Sequence, residues 1–433
     1  MVPYVITPDS IAANRDHGQA NKDTDTYSTP RSKPWREANS ASRSEAINLN
    51  SVAGSYATRN YRLELLRHYR YQVAPWLDIC DLRHTFGIKV VRMAMSAEQL
   101  LFGIMALSQA SIIETSAFQQ QNPWSIKQTA ELTVERLPLS MPPLDFTEAA
   151  ILSLLQALQN LVSDVSQTWR TRPNSDVGLL EVLVQDAYKS NILSAAYWMF
   201  VRLELGIALA NDMAMRIPLP STPTHYLPLL ARTGDVSERV SHFTHTALWL
   251  CAKALALCHQ REMAHDRSTS RGSVEDWILT FRELVQWYES RPHEFQPMVE
   301  MDSECLSGSD SEFPLLLFAK GAGTFSNQLY HTALVLLLQC KPRTAQLQQY
   351  QSTLLSPLWH AQRICGIALN NDSRESWDPC LLASLLIASK YMTHETQQQE
   401  ILRGFQRITK ITGWDISQYL VDLRDDWSTL EDA

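Results

Sequence analysis

The feature that most constrains this chain is the helical spacing of its apolar residues, which begins near Tyr56 and continues towards the C-terminus. After Asp145, for example, Ile151, Leu154, Leu155 and Leu158 recur three and four residues apart, which places them on one face of a helix. No segment shows a convincing strand pattern, with period-two alternation bounded by turn residues. The sequence therefore predicts an all-α fold of stacked antiparallel helices, in which strands are incidental.

Capping signals predict where several of these helices begin and end. Ser96 and Asp145 each stand three residues before Gln99 or Glu148, as in a capping box, and Ser273 is a predicted N-cap. Gly413 has the position of a glycine that closes a helix in the left-handed conformation. The predicted helices cover residues 96–107, 145–169, 190–210, 237–258, 273–290, 323–339, 354–369, 379–391, 396–412 and 416–427.

The chain divides into two parts by composition. Residues 1–55 are rich in Ser, Asn, Asp, Thr and Arg and have almost no apolar periodicity, so we predict a disordered N-terminal segment. Its positive and negative charges nearly balance, unlike those of a basic arm that binds DNA. Residues 56–433 are predicted to form one all-α domain.

Charge and composition exclude several classes of protein. The 433 residues carry a formal net charge of -8, whereas a phosphate-binding surface needs clustered lysine and arginine. The start of the chain lacks the features of a signal peptide. The longest uncharged stretch, residues 321–340, contains polar side chains and is predicted to be a buried helix rather than a membrane span.

The seven cysteines suggest neither a disulfide framework nor a metal site. They are scattered, and no CxxC occurs, so reduced thiols in a reducing compartment are expected. Cys251 and Cys258 would lie two turns apart on one helix, where we interpret them as small apolar core residues. We predict no metal and no cofactor.

Four motifs resemble catalytic or cofactor sites, but none of them is complete. The acidic run at Asp422 lacks a second magnesium-binding segment, and Gln398 stands where a zinc-protease helix needs its second histidine. Gly321-Ala322-Gly323 has neither a third glycine nor a βαβ context, so it is predicted to be a loop before a helix. His360 and Cys365 would point from divergent faces of a helix. The sequence therefore predicts a protein that is not an enzyme.

Several segments together resemble the fungal-specific transcription factor domain, in the ARCA-like form found in zinc-cluster regulators. The most informative segment, Leu358–Asn371, reads LWHAQRICGIALNN. The other segments follow the order of that family, and they are Glu64–Tyr69, Val73–Asp78, Phe86-Gly87, Leu101–Ser108, Ala195–Leu205, Gly413-Trp414 and Trp427. The resemblance spans roughly residues 60–427.

The resemblance implies a nuclear transcriptional regulator, of a kind that often controls a cluster of biosynthetic genes. In that family a Zn₂Cys₆ module reads DNA, and no cysteine pattern of that kind occurs here. The missing Zn₂Cys₆ module has three explanations. The gene model is incomplete, the sequence is a fragment of a longer chain, or the protein is a natural regulator that works through a partner. Whether the genomic sequence upstream of Met1 encodes an in-frame CxxC-bearing exon is the observation that separates such a regulator from the alternative function given below.

We therefore predict a regulator of a fungal secondary-metabolite gene cluster, located in the nucleus. Its expected partners are the transcription machinery or a DNA-binding co-regulator, with no module for direct DNA binding and no membrane association. A homo-oligomer is compatible with the sequence, although no heptad seam predicts a coiled coil. The alternative is a helical binding protein or enzyme that acts on a small metabolite of such a pathway.

No catalytic, cofactor-binding, metal-binding or DNA-binding residue is predicted. The most conspicuous side chains are interpreted as architecture rather than as a site, and they are Trp198, Arg202, Trp359, Arg363 and Cys365.

Overall fold

Fourteen α-helices account for most of the residues that the computed structural model describes, namely 60–118, 143–174, 176–221, 234–263, 270–302 and 312–431. This confirms the predicted all-α class. Residues 1–55, which the sequence predicts to be disordered, lie outside the described residues.

The helices are numbered here in chain order. Residues 60–77 form α1, which includes a π-helical turn at Tyr69–Val73, and residues 85–94 form α2. The others are α3 (Glu98–Phe118), α4 (Phe146–Ser163), α5 (Val165–Thr171), α6 (Val177–Leu183), α7 (Ile192–Ala210), α8 (Val236–Met263), α9 (Ser270–Glu289), α10 (Gly321–Gln339), α11 (Pro357–Asn370), α12 (Pro379–Ser389), α13 (Glu395–Thr412) and α14 (Ser417–Glu431).

Helix α4 begins at the predicted capping box and ends earlier than predicted. The Asp145 carboxylate accepts the Glu148 backbone N–H at 2.7 Å, and the Glu148 carboxylate accepts the Asp145 N–H at 3.1 Å. At Asp164 the backbone becomes extended, and the Asp164 side chain accepts the Gln167 N–H to start α5. One predicted helix is therefore two, because a second N-cap competes with continuation of the first helix.

The other predicted helix ends were only partly right. Ser96 does not cap α3, since its hydroxyl donates to the Met93 carbonyl at 2.8 Å and the helix begins at Glu98. Ser273 lies inside α9, which begins at Ser270. Gly413 closes α13 as predicted, with φ of 79° and its N–H donating to the Thr409 carbonyl at 2.8 Å.

Two short strands form the β-structure of the described residues. Strand β1 (Val299–Met301) pairs antiparallel with β2 (Leu315–Leu317), and Val299 lies opposite Leu317. Strand β2 packs on α11, where Leu316, Phe318 and Ile367 form a small apolar cluster. The strands are incidental to the helical core, as predicted.

Buried tryptophans join pairs of helices by packing and by hydrogen bonds. Trp287 Nε1 on α9 donates to the Phe243 carbonyl of α8 at 3.0 Å, and Trp277 Nε1 donates to the Leu337 carbonyl of α10 at 2.9 Å. Trp427 Nε1 on α14 donates to the Ser389 carbonyl of α12 at 2.9 Å. Because a buried indole N–H needs an acceptor, each bond fixes one ring orientation as well as one helix position.

Within the described residues, α7 has the length and apolar composition of a membrane span, and 83% of that window is buried inside the protein. It carries two buried charged residues, and the Glu204 carboxylate contacts Arg172 and Arg216. These are the properties of a central core helix. Helix α10, the predicted buried helix, is also enclosed by the protein along most of its length.

Candidate functional site

A cavity of about 350 Å³ lies where α1, α2, α7 and α8 meet. Small-molecule sites commonly have volumes of about 300–1,000 Å³, so this cavity is large enough for a compact metabolite. Its walls come from the end of α1 and the loop after it, from α2, from residues 187–191 and the following helix α7, and from the first turns of α8.

A stacked pair of rings forms part of the cavity wall. The rings of Trp198 on α7 and His245 on α8 are nearly parallel, with centroids 4.5 Å apart. Trp198 Nε1 donates to the Ala187 carbonyl at 2.7 Å, which fixes the indole. Burial lowers the pKa of His245 to about 3, so the imidazole is neutral near pH 7 and offers one donor and one acceptor.

Charged side chains surround the cavity mouth. Arg83, in the loop after α1, pairs with Asp235 and Glu238 at 3.3 and 3.0 Å and so ties that loop to the start of α8. Lys89 and Lys189 also line the cavity, and Lys189 pairs with Asp186. A mouth of mixed charge beside aromatic walls is suited to a small polar aromatic molecule.

Arg202 lines the cavity and joins three helices. Its Nη1 and Nη2 donate to the carbonyls of Leu77 and Trp76, both at 2.8 Å, at the end of α1. Its Nε donates to the Asp378 carboxylate at 2.8 Å, and Asp378 in turn accepts the Cys380 N–H at the start of α12. The Arg202 side chain is 2% exposed and the Asp378 side chain is 0% exposed, so the two form a buried ion pair. This pair positions the cavity wall at α7.

A second cluster of polar and aromatic groups surrounds two buried histidines on α10 and α11. The Nδ1 atoms of His331 and His360 are 2.8 Å apart, and His360 Nε2 lies 3.0 Å from the Leu354 carbonyl. The rings of Tyr330 and Trp359 pack edge-on against His331, at 5.0 and 5.7 Å between centroids.

The hydrogen bonds of this histidine pair determine its tautomers. A carbonyl oxygen only accepts, so His360 Nε2 carries a proton and donates to Leu354. Burial lowers the pKa of His360 to about 4, which keeps the ring neutral and leaves its Nδ1 as an acceptor. His331 Nδ1 must then carry the proton between the two rings. Both ring nitrogens of His360 therefore make hydrogen bonds, to His331 and to the Leu354 carbonyl, and neither bond is to Cys365.

The histidine pair predicts a loss of stability in mild acid. Burial first, and then Arg363, lowers the folded-state pKa of His360 from 6.5 to about 4. Burial, His360, Arg363 and Arg291 lower the pKa of His331 in the same direction. Below pH 6.5 the unfolded chain therefore binds protons that the folded chain does not, and this favours unfolding as the pH falls towards 4.

Replacing both histidines by glutamine is expected to make the free energy of unfolding less dependent on pH. His360 alone should account for about 2 kcal/mol between about pH 7.5 and about pH 5. Urea denaturation at these two values measures the difference. The matched control is His293→Gln, because the His293 side chain is 84% exposed and lies outside the histidine pair. Equal slopes in the double variant and the wild type would contradict the conclusion that both histidines are buried as neutral rings.

The conspicuous residues of the sequence fall into three places. Trp198 and Arg202 line the cavity. Arg363 lies over the Trp359 ring at 4.7 Å, beside the histidine pair, and Cys365 is fully buried. Sequence reasoning missed His245 and His331 as members of clusters, since their partners lie on other helices and no local spacing indicates them.

In the described residues no three His, Cys, Asp or Glu side chains group in a way that could hold a metal ion. The acidic run at Asp422 lies on α14, where Asp422 pairs with Arg170 and Asp426 with Lys390.

Comparisons with protein families, with curated proteins and with solved structures found no match to this chain.

Proposed function

We propose that the protein is a nuclear transcriptional regulator that controls a fungal secondary-metabolite gene cluster through its α-helical domain. The observation that carries the proposal is the ordered resemblance of eight segments, from Glu64–Tyr69 to Trp427, to the fungal-specific transcription factor domain. Fold alone does not imply function, so the proposal depends on this order and on how the segments meet.

Contacts between these segments support a resemblance of whole domains rather than of separate motifs. The Ser108 hydroxyl donates to the Leu65 carbonyl at 2.9 Å, which joins two of them. Arg202 in the segment Ala195–Leu205 donates to the carbonyls of Trp76 and Leu77 in the segment Val73–Asp78. The rings of Trp76 and Trp414 meet edge to face at 5.3 Å. The segments therefore belong to one core.

The proposed route of action is contact with a protein partner. The net charge of -8 argues against a large phosphate-binding surface, since such binding depends on releasing counterions from DNA through clustered cations. The partner would be a DNA-binding co-regulator or a component of the transcription machinery, and the cavity between α7 and α8 would admit an effector that favours one state of the domain.

Deleting the gene and measuring transcripts of its chromosomal neighbours tests the proposal. Under producing conditions these transcripts are expected to fall several-fold in the deletion strain and to recover when the wild-type gene is restored. Unchanged transcripts would count decisively against regulation.

The cavity favours a second candidate function, a binding protein or enzyme that acts on a small metabolite. In that case the same deletion should leave transcripts unchanged while a pathway intermediate accumulates. Ala195 lines the cavity, so Ala195→Phe should occupy part of it. A strain carrying this variant should then accumulate the same intermediate, although the variant protein is present at its normal level.

A further inference from the structure

Two cysteines come together where the ends of α8 and α10 meet. Cys258 lies in the last turns of α8, and Cys340 directly follows α10. Their Sγ atoms are 2.8 Å apart, although the residues are 82 positions apart in the chain. Helices α8 and α10 share the most extensive contact of the described helices, which holds the two thiols in place. Forming a disulfide would need the sulfurs to approach by less than about 1 Å.

This pair differs from the other described cysteines in its accessibility. Cys80, Cys251, Cys365 and Cys380 are buried, and burial raises the pKa of each of these four thiols. Because the thiolate is the reactive form, these four are expected to be inert. Cys258 and Cys340 are only partly buried, so a small oxidant can reach them.

We propose that Cys258 and Cys340 form an oxidative modification site, which an oxidant of the peroxide class converts into an intramolecular disulfide. The thiolate of one residue attacks a peroxide oxygen, the O–O bond breaks, and a sulfenic acid and hydroxide form. The second sulfur then attacks the sulfenic sulfur, the S–O bond breaks, and water leaves. In total the two thiols lose two electrons and two protons, and hydrogen peroxide becomes two molecules of water.

The surroundings of the pair determine how fast this reaction proceeds. The Cys258 thiol lies 3.2 Å from the Leu336 carbonyl, and the Cys340 thiol lies 3.7 Å from the Leu337 carbonyl. Both carbonyls accept from an S–H group and favour the protonated thiols. Oxidation is therefore expected to be slow in mild acid and to speed up as the pH rises and the thiolate fraction grows.

The bond would tie the end of α8 to the end of α10 in the arrangement that they already have. Closing so long a loop restricts the unfolded chain, so the oxidised protein should unfold at a higher temperature than the reduced protein. This inference is independent of the proposed function, since it concerns thiols outside the cavity.

The test treats the reduced full-length protein with hydrogen peroxide, blocks the remaining thiols and identifies the peptides by mass spectrometry without reduction. The expected product is lighter by about 2 Da, contains a peptide pair linked through Cys258 and Cys340, and reverts with dithiothreitol. It retains five of its seven thiols for blocking and has a raised unfolding temperature.

Matched variants separate this pair from the other thiols. Cys340→Ser should stop the crosslink and leave a sulfenic acid on Cys258 that dimedone traps. Cys251→Ser, a buried cysteine on the same helix, should form the same crosslink as the wild type. A disulfide of either residue with Cys305, further oxidation without a crosslink, or a lower unfolding temperature of the crosslinked protein would each overturn the proposal.

Discussion

Asp378→Ala is expected to lower the free energy of unfolding by about 3–5 kcal/mol, the largest effect of the substitutions considered. The Arg202 guanidinium is 2% exposed and its partner Asp378 is 0% exposed, so removing the carboxylate leaves a buried cation without a counter-ion. The same change removes the side-chain oxygen that accepts the Cys380 N–H at the start of α12, which costs about 1 kcal/mol at a typical N-cap. Urea denaturation monitored by circular dichroism measures the loss.

Two further variants show whether the unpaired charge is the cause. Arg202→Met combined with Asp378→Asn removes both charges and keeps an oxygen for the cap, so this double variant should recover part of the lost stability. Asp422→Ala breaks the ion pair with Arg170. Because the Asp422 side chain is 67% exposed and the Arg170 side chain is 45% exposed, this substitution should lower the free energy of unfolding by less than about 1 kcal/mol. Equal losses for Asp378→Ala and Asp422→Ala would contradict the assignment of a buried ion pair.

Gly366→Ala is expected to destabilise the protein by about 3 kcal/mol, although alanine is the better helix former. A Cβ atom at this position of α11 would lie 2.2 Å from the Pro314 carbonyl oxygen, which is far inside van der Waals contact. The obstacle is backbone just before β2 and not a flexible side chain, so α11 and the strand would have to separate. The free energy of unfolding measures this effect.

The control for this glycine is Gly178→Ala in α6. A Cβ atom there would have its nearest neighbour, the Asp176 carboxylate oxygen, at 3.4 Å, which is an ordinary contact. The substitution should be neutral or should stabilise by up to about 1 kcal/mol, because alanine restricts the unfolded chain. A neutral result for Gly366→Ala would show that α11 can move away from Pro314 at little cost.

Local signals in the sequence predicted helices well and their ends less well. The Asp145 box and Gly413 were identified correctly because each makes its hydrogen bonds within a few residues. The break at Asp164 was missed because the apolar spacing continues through it, and Ser96 was misassigned because Met93 competes for its hydroxyl. Helix ends depend on which of several close hydrogen bonds forms, and apolar spacing does not report this.

The sequence by itself determined the helical class, most of the helices and the burial of the long uncharged helix α10, because apolar periodicity is a local property that any stable packing must satisfy. Only the tertiary structure decided which distant side chains meet. Arg202 and Asp378 are 176 positions apart, Cys258 and Cys340 are 82, and His331 and His360 are 29. Such pairs depend on helix crossing and on the register between helices, which many weak contacts set together.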